Sequence, residues 1–316
     1  MSHPQQPAGS IKIRLLVSCL IAAASGLACW FLMVRLHQGA ADFRWALHLA
    51  QQVVARQAPY DTPLEQYPLT AGFFALPLIK LRPEIAAAIF WGVSSGLLAF
   101  GVTRRSYLGL LVFLAYPYWA GILTVQWSVA IAAGAFFWIL LPFTMAKPQV
   151  GLPVFLSYFS WRGLAACAFV AAVTIAAMPN WPWLWLHQGR YYEHFFPLFV
   201  FPGEFLLFAL WRRRERDARL LLLSALMPQR WFFDTFTLWL VPKSRREIIW
   251  TVFFSWGAGI WRWCYTPHSF TQVGRVTVIF IYLPMLAVVL LRNVRPGKPT
   301  TPIARAQTDS GAGSGM

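Results

Sequence analysis

The stretch KIRLLVSCLIAAASGLACWFLMVR, residues 12–35, decides which solvent this chain folds in. About 20 apolar residues are needed to cross a hydrocarbon core of about 30 Å. Residues 15–34 supply that length without a charge, and Lys12, Arg14 and Arg35 bracket it. The run is too long for the apolar part of a signal peptide, and Ser25-Gly26-Leu27-Ala28 in its middle is a poor processing site. It therefore reads as a retained first transmembrane helix.

The rest of the chain has the same character. Of its 316 residues 58% are hydrophobic and only 12% are charged, against about a quarter in soluble domains. The mean hydropathy is +0.53. The net charge of +16 comes from basic runs between apolar segments: Lys12/Arg14, Arg104-Arg105, Arg212 to Arg219, Lys243 to Arg246 and Arg292 to Lys298. This distribution is the positive-inside pattern and suits anionic headgroups, so membrane lipids are the expected partners and no nucleic acid is expected. It places both termini in the cytoplasm and the polar loop 35–68 outside. The four cysteines have no metal-site spacing and read as small buried hydrophobes, with Cys264 near the outer surface.

Hydropathy gives about ten membrane segments in one all-α bundle. Residues 15–34 are followed by an amphipathic surface helix over 42–56, in which Phe43, Ala46, Leu47, Ala50, Val53 and Val54 recur at helical spacing. A short apolar piece at 69–79 and a span at 84–102 come next. Residues 107–160 are apolar but interrupted by Pro117, Gln126, Pro142 and Lys147-Pro148-Gln149, and fit either two spans or four half-helices. Spans are expected at 163–179, 196–211, 246–263 and 274–292, with a Trp- and Tyr-rich loop at 180–194. The stretch 220–241 is bounded by basic runs on both sides yet is one span long, so it is predicted to be two short helices meeting at Met227-Pro228-Gln229-Arg230-Trp231. Residues 1–10 form a cytoplasmic tail, 11–292 one membrane domain, and 293–316 a tail of disordered composition.

Only eleven carboxylates are present. Asp309 lies in the tail; Glu215, Asp217 and Glu247 read as solvated partners of arginine. Glu84 suits a helix start, and Asp61 and Glu65 fall in the outer loop. Asp42, Glu193, Glu204 and Asp234 remain. Asp42 is either a helix N-cap or a reactive group. Asp234 and Glu204, in apolar stretches, mark function or pair with a neighbouring helix. Lys147 either serves a site or snorkels to the interface. Trp181, Trp183, Trp185, Tyr191 and Tyr192 make either a stacking surface or an interfacial belt. His187, His194 and Glu193 match no standard metal-ligand spacing, so no metal is expected.

The order of motifs adds a resemblance. Asp42-Phe43-Arg44-Trp45-Ala46, then Ala58-Pro59-Tyr60, Tyr67-Pro68-Leu69 and Leu76-Pro77-Leu78, resembles the opening of the GT-C class bacterial polyprenol-phosphate-mannose-dependent alpha-1,2-mannosyltransferases. Gln126 lies where that family has a Gly-Gln pair, Lys147-Pro148-Gln149 resembles its Lys-Pro motif, and Met227 to Trp231 is similar to its late Ser-Pro-x-x-Trp turn. The chain departs from the pattern at Gln57 and Val125, where glycine is usual. The resemblance implies a GT-C-like bundle in the bacterial cytoplasmic membrane. It implies transfer of a hexose, most simply mannose, from a polyprenyl-phosphate donor to a glycolipid or glycan acceptor at the outer face, with no cofactor. It maps the general base to Asp42 and the binding of donor phosphate or substrate to Lys147, Arg230, Arg190, Gln126, Tyr67 and Gln149, with Glu193 and Asp234 as secondary candidates.

A transporter or flippase of a lipid-linked substrate is the rival reading, since such proteins also use broken helices and buried charges. A third is a non-catalytic family member acting as a subunit. The charge distribution carries its own test. In a chain freed of native cysteines, single cysteines at Thr62 and Gln188 should react with an impermeant maleimide added outside, and those at Ser244 and Thr300 only after permeabilisation. Outside labelling at Ser244 would overturn the folded-back reading of 220–241.

Overall fold

The computed structural model describes residues 10–57, 59–60, 67–104, 106–189 and 193–292. The tail residues 1–9 and 293–316 lie outside them, as do Asp61, Glu65, Arg105 and Arg190. Among the described residues the protein is all-helical; the one β contact is an isolated antiparallel bridge between Phe195 and Gln229. Three helices are long and apolar enough to cross a membrane: Ile11–Arg35 (α1), Pro83–Val102 (α4) and the continuous run Phe270–Leu291. Two bent pairs raise the number to five: Tyr107–Leu114 with Tyr116–Thr124 (α5), bent by 62°, and Trp161–Ala177 (α8) with Trp181–Gln188 (α9), bent by 97°. The rest is built from shorter helices: Phe43–Val54 (α2), Leu69–Ala75 (α3), Ser128–Gly134 (α6), Pro148–Ser157 (α7) and Arg216–Leu226 (α10). Arg245–Cys264 (α11) is a longer helix rich in tryptophan.

The peripheral helices wear their apolar surface outward. Of the 25 residues of α1 only Ser18, Cys29 and Met33 are buried, while Leu16, Leu20, Leu27 and Phe31 are at least 60% exposed. In α8 only Gly163, Cys167 and Thr174 are buried. Such surfaces suit lipid as the solvent, and this is a membrane protein.

The closest helix pair is α1 with α4, and small residues make it possible. Ser18, Ala22 and Gly26 recur every four residues on α1, as do Ala88, Gly92 and Gly96 on α4. A Cβ on Gly92 would stand 2.7 Å from the Ala22 carbonyl oxygen, and one on Gly96 2.8 Å from the Ala22 Cβ. This is the small-xxx-small solution to helix association in lipid, where dispersion replaces the hydrophobic drive. The hydroxyl of Tyr118 closes the pair to α5 by donating to Ser25 at 2.8 Å and accepting from the Trp91 indole at 3.1 Å.

Proline explains where the other apolar runs break. Residues 107–157 divide into five helices, counting short 3₁₀ segments at Tyr107–Leu114 and Trp138–Met145, so the stretch is more finely broken than either two spans or four half-helices, and its first two pieces together have the length of one bent span. Pro117, Pro148 and Pro153 sit within or at the start of these pieces and Pro142 within Trp138–Met145, each removing a backbone donor. The span expected at 196–211 does not form as one helix. Pro197 and Pro202 interrupt it, leaving a turn at Pro197–Phe199 and a 3₁₀ helix at Gly203–Arg212. The loop expected at 180–194 is partly α9, which Pro182 starts. The break at 227–231 falls as expected between α10 and a 3₁₀ helix at Phe232–Leu240. In the last run, Phe270–Thr277 (α12) and Leu283–Leu291 (α13) are joined by a π turn at Val278–Tyr282, just before Pro284.

The basic end of the bundle is fastened by ions. Arg14 donates to the Phe100 carbonyl at 2.7 Å, tying the start of α1 to the end of α4. Nearby, Arg292 reaches Asp217 at 2.6 Å, Glu247 at 2.8 Å and the Val241 carbonyl at 2.8 Å, while Lys243 pairs with Asp217 at 2.8 Å. Asp217 and Glu247 are thus arginine partners, as their setting suggests, but Asp217 is buried rather than solvated. Glu247 also closes a capping box with Ser244 at the start of α11. Because Arg292 serves three acceptors from three other segments, Arg292→Ala should lower stability by about 2–3 kcal/mol, and Arg292→Lys should recover only part of it. Thermal unfolding in detergent measures this; an alanine variant as stable as wild type would remove the cluster from the fold's supports.

Candidate functional site

Four breaks in helices converge at the other end of α1. After Arg35 the chain turns through His37, Gly39 and Ala41, all at positive φ, and delivers Asp42 just before α2. The backbone N–H of Asp42 donates to the Thr124 carbonyl at 3.1 Å, fixing it to the end of α5. Val125 then takes the left-handed conformation at φ 51°, an outlier for a β-branched residue, and turns the chain into Gln126. Lys147 stands immediately before Pro148 and α7. Asp234 lies in the first turn of Phe232–Leu240, after the 227–231 break. Ala41 and Val125, two of the five non-glycine residues at positive φ among those described, directly precede site residues. Strain of about 1–3 kcal/mol at each such residue persists only where surrounding contacts over-determine it.

The side chains form one chain of contacts. Gln126 donates through Nε2 to Asp42 Oδ2 in a short hydrogen bond. Its Oε1 accepts from Lys147 Nζ at 2.6 Å and from the Tyr67 hydroxyl at 3.4 Å. Lys147 pairs with Asp234 Oδ1 at 2.5 Å, and Asp234 Oδ2 accepts the backbone N–H of Arg230 at 3.0 Å. Lys147 Nζ also sits 4.8 Å from the centre of the Phe233 ring. The cation sets the orientation of the Gln126 amide: its oxygen must face the ammonium, so its NH₂ must face the carboxylate.

Burial grades along this chain. Gln126 and Asp234 are each 1% exposed and Lys147 is 5% exposed. Asp42 is half-buried and Arg230 is exposed. Asp42 therefore does not cap α2; its carboxylate turns inward to Gln126 and makes no capping hydrogen bond. Burial raises its carboxyl above the ordinary 3.8, against the charge of Lys147, the Gln126 hydrogen bond and the charge of Arg230, which pull it down. A carboxylate raised in this way is a better proton acceptor near neutral pH than a solvated one.

Aromatic rings hold the polar residues in place from beneath. Phe43 follows Asp42, Trp127 follows Gln126 and Phe233 precedes Asp234. Phe43 stacks on Phe90 with ring centres 4.3 Å apart, and Phe90 lies 4.8 Å from Trp127. Phe43 and Trp127 are fully buried. Beside this cluster opens an apolar cavity of about 340 Å³, walled by Pro68, Met145, Pro148, Leu152, Phe155 and Trp185 among others. Met145 and Pro148 lie either side of Lys147 in sequence and Pro68 follows Tyr67, so the cavity and the polar chain draw on two common chain segments.

Of the residues singled out from sequence, the fold brings Asp42, Gln126, Lys147, Tyr67 and Asp234 together. Arg230 joins through its backbone, while its guanidinium lies 5.9 Å from the Phe270 ring centre. Gln149 is half-buried in the first turn of α7. Glu193 and Glu204 are exposed, so neither joins the buried chain of contacts. Arg190 lies outside the described residues. The Thr124 carbonyl and the Phe233 ring were not foreseen, and no sequence pattern marks them. Trp181 and Trp185 line the apolar cavity whereas Trp183 is 75% exposed; the four-residue spacing of the first two was the available signal. Among the described residues no three His, Cys, Asp or Glu side chains are grouped to hold a metal ion. No protein-family model, curated protein or solved structure matches the chain.

The Lys147–Asp234 pair makes a separable prediction. Lys147→Met strands Asp234 as an uncompensated buried charge and should cost about 3–5 kcal/mol, whereas Lys147→Met with Asp234→Leu should recover most of that. A thermal-stability cycle over the four proteins reads the coupling. Equal destabilisation by the single and double variants would mean that the two charges do not depend on each other.

Proposed function

We propose that the chain is a membrane glycosyltransferase that moves a hexose, most simply mannose, from a polyprenyl-phosphate donor to a glycolipid or glycan acceptor, with inversion. The observation that carries this reading is a half-buried carboxylate, Asp42, aimed by the Gln126–Lys147–Asp234 chain, with an apolar cavity walled by the chain neighbours of Tyr67 and Lys147. A prenyl phosphate has the matching form, a charged head on an apolar tail. The motif order resembling the GT-C mannosyltransferases supports the same class.

In this reading the acceptor hydroxyl attacks the anomeric carbon while the bond from that carbon to the phosphate oxygen breaks. Asp42 takes the hydroxyl proton, and the prenyl phosphate leaves with the bonding electrons. Asp42 uses Oδ2 to accept from Gln126, which leaves Oδ1 without a hydrogen bond among the described residues. Lys147 acts on Gln126 and Asp234 and therefore positions the base. The exposed guanidinium of Arg230 is the cation suited to the leaving phosphate. The short helices complete a GT-C-like bundle of about ten segments. Both termini lie in the cytoplasm and Asp42 lies at the outer face of a bacterial cytoplasmic membrane.

The buried Lys147–Asp234 pair among broken helices also fits a transporter of a lipid-linked substrate. Purified protein given labelled polyprenyl-phosphate-mannose and a lipid extract separates the two, since only an enzyme moves label to a new product.

Asp42→Asn tests the base directly. Asparagine keeps the size and still meets Gln126, but cannot take the proton. Turnover should fall by at least ~10²-fold with donor binding retained. In wild type, turnover should be lost as pH falls through a value above the ordinary carboxylate range, because the reactive form is deprotonated and burial raises its pKa. Retained turnover in Asp42→Asn would exclude Asp42 as the base.

A further inference from the structure

At the end of the bundle remote from Asp42 lies a second cavity, of about 290 Å³. Its place follows from two contacts: Arg14, at the start of α1, holds the end of α4, and Arg104, just beyond α4, is one of the cavity's walls. The 25 residues of α1 put about 37 Å of helix between this end and the Asp42 end.

The cavity is built for an anion. Arg104, Arg216 and Lys243 contribute to its walls. Arg104 donates to the Phe136 carbonyl at 3.0 Å and lies 4.6 Å from the Phe137 ring centre; Arg216 lies 4.9 Å from the Tyr158 ring centre. Neither arginine has an ion-pair partner among the described residues. The nearby acids are already engaged: Asp217 is shared by Lys243 and Arg292, and Glu247 is held by Arg292. Trp239, another wall residue, is 4% exposed, and its indole Nε1–H has no hydrogen-bond partner among the described residues. That donor is closed off from the cavity, so the charged walls carry the binding.

We infer that this cavity binds a phosphate ester through Arg104, Arg216 and Lys243, its source being the headgroup of an anionic membrane lipid. Planar guanidinium groups suit phosphate oxygens, and basic pockets at the ends of membrane helices suit lipid headgroups. This site is independent of the chemistry assigned to Asp42.

Native mass spectrometry of the full chain, delipidated and then offered phosphatidylglycerol or phosphatidylcholine, tests it. Wild type should retain phosphatidylglycerol in clear preference. Arg216→Gln and Arg104→Gln should each weaken that retention by roughly tenfold, as loss of one charge-assisted hydrogen bond implies. Arg219→Gln, an exposed arginine that is not a cavity wall, should leave retention unchanged. Thermal melts confirm that each variant is folded. Inorganic phosphate added as competitor distinguishes the sources: displacement of the lipid at millimolar phosphate assigns the site to soluble phosphate compounds as well, and resistance assigns it to the lipid. Equal retention of the two lipids by wild type, or equal losses in Arg216→Gln and Arg219→Gln, would overturn the site in favour of diffuse surface attraction.

Discussion

A lysine ammonium inside an apolar bundle cannot be left alone, and Lys147 sets the terms for the polar interior. Removing its charge from water costs several kcal/mol, which is tolerable only with a close counter-ion and further acceptors. Asp234 at 2.5 Å and Gln126 at 2.6 Å meet that need. Both partners come from places where a helix has been broken. Gln126 follows the left-handed turn at Val125, and Asp234 follows the 227–231 interruption. Lys147 itself stands at a start imposed by Pro148. Broken backbone in lipid is tolerable only where protein or a cavity satisfies it. The ion pair and the interruptions therefore require each other, and Asp42 is oriented as the last member of the same chain.

Around that polar line the fold is rigid in two ways. Buried rings next in sequence to Asp42, Gln126 and Asp234 lock the backbone that carries them, so that small rotations of the polar groups would disturb the packing of Phe43, Phe90 and Trp127. The α1–α4 pair is rigid for the opposite reason: it has no side chains to spare at its crossing, and the backbones themselves touch. The first device fixes the site; the second fixes the helix that delivers Asp42 to it.

Much of the frame was legible in the sequence because lipid imposes a simple code. Length and hydropathy located α1, α4 and the run from Phe270 to Leu291, and amphipathic spacing located α2. The candidate site was legible as a set of expensive residues, since Lys147 and Asp234 stand in apolar surroundings where an ionisable group needs a partner. What hydropathy could not give was the form of residues 196–211, where Pro197 and Pro202 break an apolar run without changing its apolarity. Nor did residue type decide the use of Asp42. An N-cap and a buried acceptor are identical in sequence, and only the position of Gln126, 84 residues away, separates them. Of the aromatic supports, Phe43 stood out on the apolar face of its helix, whereas Phe90, Trp127 and Phe233 had no spacing to distinguish them from the other aromatic residues of the chain.

The uneven lengths of the helices bear on how the chain is made. α1 satisfies its own backbone hydrogen bonds over its whole length and hides almost nothing in the bundle, so it can leave the translocon and wait in lipid for α4. The pieces between residues 107 and 157 have no such independence. Each is too short to cross alone, and their broken ends find partners in one another, in earlier residues such as Asp42, Tyr67 and Thr70, and in later segments around Asp234 and Ser255. Lys147 emerges from the ribosome long before its counter-ion exists. Until the later segments arrive, that part of the chain lacks partners that it has in the finished bundle, so the Lys147–Asp234 pair bears on the order of assembly as well as on the stability of the folded protein.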